Sequence, residues 1–155
     1  MKKLMLAALL SALTLSACGG AATSGGTEPQ RGPNSEKRAT AFKVLGGDMK
    51  EMGDVVKGAS AYDVEKFKAK VTEFVAHSQE PFKHFAQDGN GMDGNAKPEI
   101  WSAPEQYKAE EAKFVEAVTQ FNAAAQAGNL EQIKATFGAV GGSCKSCHDA
   151  YKISR

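Results

Sequence analysis

Residues 130–152 read LEQIKATFGAVGGSCKSCHDAYK. Leu130, Ile133, Phe137, Val140, Cys144, Cys147 and Tyr151 follow one another at intervals of three and four. An α-helix repeats every 3.6 residues, so this spacing places all seven on one face. The pattern predicts a helix from about Leu130 to Tyr151. Gly141 and Gly142 lie inside it, and each weakens a helix by about 1 kcal/mol relative to alanine. Their missing side chains would also let a bulky group lie close to the backbone.

Working back from this helix, the same periodicity recurs three times. Gly128-Asn129 breaks the chain just before it. Ahead of that break, Tyr107, Phe114 and Phe121 are seven apart, with Val118 and Ala125 on the same face, which predicts a helix from near Pro104 to about Ala127. Val64, Phe67, Val71, Phe74 and Ser78 predict another, starting near Ser60 or Asp63 and stopping before Pro81. Phe42, Leu45, Met49, Met52 and Val56 predict the first, from about Ser35 to Lys57, with Gly58 as its stop. Residues 79–98 contain Pro81, Gly89, Gly91, Gly94 and Pro98 and read as a long irregular connection. No stretch shows strand alternation. Four amphipathic helices pack best as an all-α antiparallel four-helix bundle, here spanning residues 35–155.

The first third has a different character. Lys2 and Lys3 precede a mostly apolar run, Leu4 to Leu15, too short for a permanent membrane span. Residues 1–17 therefore read as an export signal. Its end, Leu15-Ser16-Ala17-Cys18, resembles a bacterial lipoprotein processing site, which implies cleavage before Cys18 and lipidation of its sulfur. The alternative is a soluble periplasmic protein cut further on. Residues 19–34, GGAATSGGTEPQRGPN, read with Cys18 as a flexible tether with a root-mean-square span of roughly 20–25 Å. The formal charge of the whole chain is +1, and without residues 1–17 it carries 17 basic against 18 acidic residues. That near-neutral balance gives no support to a nucleic-acid binder.

Cys144-Lys145-Ser146-Cys147-His148 fits Cys-x-x-Cys-His, the attachment pattern of c-type haem. Two thiols three residues apart share a helix face, about 4.5 Å apart along the axis. Each can add to one haem vinyl group, and His148 follows at once, placed to ligate iron. A thioredoxin-like pair would need a βαβ context. A zinc site would need more ligands, and the other histidines, His77 and His84, lie far off in sequence. They read as surface or loop residues. The expected cofactor is one covalent haem c.

A Cys-x-x-Cys-His run on the last of four helices resembles the cytochrome c′ family. KRATAFKVLGGDMKEMG, AKPEIW and FGAVGGSCKSCHDAYK carry the resemblance, which covers about residues 35–153. It implies a haem with histidine on one side and usually no protein ligand on the other. It implies Arg38 near a haem propionate and Phe42, one turn later, over the vacant iron face. Phe42 also fits a plain core role. Trp101 would pack against the haem or in the core. Lys152, where the family pattern commonly has arginine, would sit near the proximal pocket or in solvent. Lysine lacks arginine's planar fork. Met49 or Met52 as a thioether ligand is the competing expectation, although Met49 is two turns beyond Phe42 and reads as core.

The function expected from this resemblance is a cell-envelope haem protein that binds nitric oxide and carbon monoxide at open iron and passes single electrons. The rival is a six-coordinate, His/Met-ligated electron carrier. No acid-base pair or nucleophile stands out, so turnover chemistry is not expected. Redox partner proteins follow from the electron-transfer role, and a homodimer from the family. The residue after Cys18 is not aspartate, which by resemblance to lipoprotein sorting rules favours periplasmic display from the outer membrane.

Overall fold

The computed structural model describes residues 29–154. The expected signal segment, Cys18 and most of the tether lie outside the described residues. Among these residues five α-helices form in order: α1 Pro33–Val56, α2 Val64–Ser78, α3 Glu99–Ser102, α4 Pro104–Ala127 and α5 Leu130–Tyr151. Among the described residues there is no strand, only two isolated β-bridges. No helix there is long and apolar enough to cross a membrane.

The four long helices are those the periodicity predicts, and local chemistry sets their ends. Asp63 accepts a hydrogen bond from Lys66 N at 3.1 Å and so starts α2. Gly128 ends α4 at φ 71°, a left-handed conformation that glycine adopts without strain. Asn129 then caps α5 by accepting from Gln132 N at 3.1 Å. This two-residue turn makes α4 and α5 antiparallel neighbours.

α1 begins two residues before the predicted start, because its first turn is capped from afar. The Asp88 carboxylate accepts from Asn34 N at 2.9 Å and Ser35 N at 2.7 Å. A side chain at Gly32 would meet the Asp88 carboxyl group at 2.6 Å, so this approach needs glycine. Partial burial pushes the Asp88 carboxyl up, but the hydrogen bonds it accepts outweigh this and hold it below the usual range. Residues 30–32 lie along Met92–Gly94, with Gly32 N donating to Met92 O at 2.8 Å. The last residues read as tether are therefore packed on the bundle.

The long connection is also more ordered than its sequence suggests. Pro81–His84 forms one 3-10 turn, and Glu99–Ser102 one turn of α-helix. Arg38, 5 % exposed, holds the connection to α1 by donating to His84 O and Asp93 O, both at 2.7 Å.

Apolar side chains fill one end of the bundle. Met52, Phe67, Val71, Phe74, Phe121, Ile133 and Val140 are buried together. At the other end, where α1 and α4 begin and α5 finishes, the helices enclose a hollow instead.

Candidate haem site

The end of α5 supplies one wall of the hollow. Cys144, Cys147 and Tyr151 continue the apolar face begun by Leu130, and His148 stands beside them. Cys144 and Cys147 are half-buried free thiols. Burial pushes both thiols up, Cys147 to about 11 with the nearby Glu110 carboxylate adding to the effect. Both are therefore neutral thiols near pH 7. Much of the His148 surface is open, yet the protein atoms gathered around it disfavour the charged imidazolium. That burial, helped by Lys152, lowers its pKa, while Asp149 opposes the shift. A neutral imidazole keeps the lone pair that a metal requires.

The hollow has two joined sectors. One, of about 250 Å³, is mainly apolar, with Phe42, Leu45, Met49, Phe82, Phe114 and Cys144 in its wall beside Glu110 and Glu111. The other, of about 120 Å³, carries the cations Arg31, Arg38 and Lys152 together with Ser35. Phe42, Phe85, Tyr107, Cys147 and His148 belong to both. Gly141 lines the apolar sector, and a side chain there would meet nothing within 4 Å. The space beside it is the hollow, not another helix.

Phe42 and His148, which line both sectors, are in edge-on contact, their ring centroids 6.1 Å apart and their planes at 74°. Phe42 also contacts Phe82 and Phe85 edge-on, at 6.2 and 6.3 Å. Arg38 lies over the Phe85 ring at 4.6 Å. Burial lowers the Arg38 pKa, and Asp88 and Asp93 oppose that shift. Met49 is half-buried and lines the apolar sector, so it is more than core filler, though further along α1 than Phe42.

The connection fixes the end of α5 and with it His148. Lys97 Nζ donates to Asp149 O and Ala150 O, each at 3.0 Å, and Lys97 N donates to Tyr151 O at 2.9 Å. A cation at these free carbonyls also complements the helix dipole. Lys152 leaves the helix, its backbone N–H donating to His148 O at 3.0 Å, and lines the polar sector. Trp101 is not among the lining residues. Its indole N–H donates to Phe85 O at 2.7 Å, so it positions a lining ring from behind.

Sequence reasoning missed Phe85, Tyr107, Lys97 and Asp88 as site residues. Tyr107 had a signal, its place on the apolar stripe of α4. The other three act through contacts between distant segments and had none.

These residues fit a porphyrin. The two thiols and the imidazole are the attachment set, the adjoining sector is mainly apolar, and the buried Tyr107 hydroxyl has no hydrogen-bond partner among the described residues. A helical bundle whose last helix turns Cys-x-x-Cys-His toward such a hollow defines a c-type haem protein. Comparison with known proteins narrows the class. The model of the family described as cytochrome C′ matches residues 34–152. Cytochrome c′ of Alcaligenes xylosoxydans xylosoxydans is 38% identical over 115 residues, 74% of this chain and 89% of that protein. Cytochrome c′ of Rubrivivax gelatinosus is 32% identical over 120 residues, 76% and 92% of the two chains. A nitric oxide complex of a leucine-to-alanine variant of cytochrome c prime from Alcaligenes xylosoxidans superposes with a TM-score of 0.73. It is 36% identical and covers 79% of this chain and 94% of its own. The chain belongs to the cytochrome c′ family, whose cofactor is one covalently attached haem c.

Proposed function

We propose that this protein is a gas-binding haem protein of the cell envelope, with iron held by His148 and open on the opposite side. The Phe42 ring, set edge-on to the His148 ring with centroids 6.1 Å apart, supports this reading. A phenyl group has no lone pair to give a metal, yet it fills the place a sixth ligand would take. Bound haem supplies a coordination site for nitric oxide or carbon monoxide and a one-electron couple.

The chain's own residues do the rest. Cys144 and Cys147 hold the cofactor edge through thioethers on one helix face. His148 enters from the same helix, its position set by the Lys97 clamp on the last carbonyls of α5. Phe42, Phe82 and Phe85 exclude water from the face opposite His148, which favours small neutral ligands over charged ones. Met49 stands seven residues after Phe42, about 10 Å further along the axis. Phe42 thus occupies the ground directly opposite His148, which favours an open iron over methionine ligation. Export and lipidation through Cys18 would place this site in the periplasm.

Titration of the ferrous haem-loaded protein with nitric oxide tests the reading. One equivalent per haem should bind, with a spectral change complete at stoichiometry. A ferrous protein whose spectrum does not respond to excess nitric oxide would refute it.

A further inference from the structure

Tyr107 is 7 % exposed, and its hydroxyl is buried with no hydrogen-bond partner among the described residues. Buried hydroxyls in folded proteins are nearly always paired, because an unpaired one has lost its water and gained nothing. The group cannot swing away to find a partner. Its ring is held 5.0 Å from Phe85 and 5.5 Å from Tyr151, centroid to centroid. Glu111, one turn later on α4, is near enough for its charge to be felt, but no hydrogen bond joins the two.

The missing acceptor should therefore come with a ligand. Tyr107 belongs to both sectors of the hollow, at the seam between the apolar one and the one bearing Arg38 and Lys152. Haem has two carboxylate substituents and is otherwise largely apolar. Arg38 and Lys152 would draw the carboxylates into the polar sector, and the apolar sector would receive the ring. We propose that the Tyr107 hydroxyl donates a hydrogen bond to a haem propionate, beside Arg38, and so fixes the carboxylate edge of the cofactor. Two Arg38 nitrogens are already committed to His84 O and Asp93 O. A neutral donor next to this held guanidinium completes the carboxylate's hydrogen bonding. Burial keeps the phenol protonated, and therefore a donor, throughout the neutral range.

The test is Tyr107→Phe in the full haem-loaded chain. Phenylalanine keeps the contacts with Phe85 and Tyr151 and removes only the oxygen. The propionate bending mode in the resonance Raman spectrum should shift, and the melting temperature should fall by several degrees. An unmoved propionate mode would overturn the proposal. So would an unchanged or raised melting temperature, the outcome of replacing an unpaired hydroxyl with hydrogen. A shift in the C–O stretch of the carbon monoxide adduct, with the propionate mode unmoved, would also overturn it and assign the phenol to the gas ligand.

Discussion

Phe42→Ala opens the face that the account gives to gas ligands. The Phe42 ring meets Phe82 and Phe85 edge-on, at 6.2 and 6.3 Å. An incoming ligand must displace the ring and break those contacts. Aromatic pairs of this kind contribute about 0.5–1.5 kcal/mol each, so two of them set a gate of about 1–3 kcal/mol. At roughly 1.4 kcal/mol per factor of ten, removal of the ring should speed carbon monoxide association by ~5-fold to ~150-fold. Flash photolysis of the ferrous carbon monoxide adduct measures this rate directly, and circular dichroism checks that the bundle is intact. An association rate within a factor of about two of wild type, in a folded variant, would refute the gate. Phe42→Met should place a sulfur opposite His148 and move the ferric iron toward low spin. Met49→Leu should leave the spectrum nearly unchanged, since a swap of similar volume perturbs packing little.

Cys144→Ala with Cys147→Ala should leave haem extractable by acid-acetone, and covalent haem retained in the double variant would contradict the attachment scheme. Asp48 is 5 % exposed and pairs with Lys70 Nζ and His77 Nδ1, both at 2.8 Å. Burial raises its pKa, but the hydrogen bonds from Lys70 and His77 outweigh that and hold the folded value below the usual carboxylate range. Its stabilising contribution is thus complete above the unfolded pKa and is lost as pH falls through the folded one. Asp48→Asn should cost ~1–3 kcal/mol in urea unfolding at pH 7, with the gap to wild type closing below about pH 4. A pH-independent gap would show that the charge is not what matters there. Cys18→Ser should abolish labelling by palmitate and release the protein from membranes, whereas a wild type that takes up no label would exclude the lipid anchor.

The four long helices were legible because each writes its apolar face in intervals of three and four. Seven such positions from Leu130 to Tyr151 gave α5 its ends, and Cys144, Cys147 and His148 gave the site its chemistry. The connection was not legible, because its order rests on contacts without local pattern. Asp88 caps a helix that starts 55 residues earlier, and Lys97 clamps one that ends 54 residues later. Nothing between Gln79 and Pro98 announces either. Trp101 shows the same limit, since its indole serves a backbone carbonyl in the connection and not the hollow. His77 lies at the surface, as read, and its ring also pairs with the buried Asp48. A signal was present there, because Asp48 sits on the apolar side of α1, three residues after Leu45 and four before Met52. An acid in that position needs partners, and Lys70 and His77, seven apart on α2, share the face that supplies them.

An iron ligated by His148 should be open beneath Phe42. The optical and electron paramagnetic resonance spectra of the purified ferric protein at neutral pH test it most directly. The ferric iron should be high-spin, with no sulfur-to-iron absorption. A low-spin spectrum carrying that band, lost on Met49→Leu and kept on Phe42→Ala, would contradict it and make the protein a methionine-ligated electron carrier.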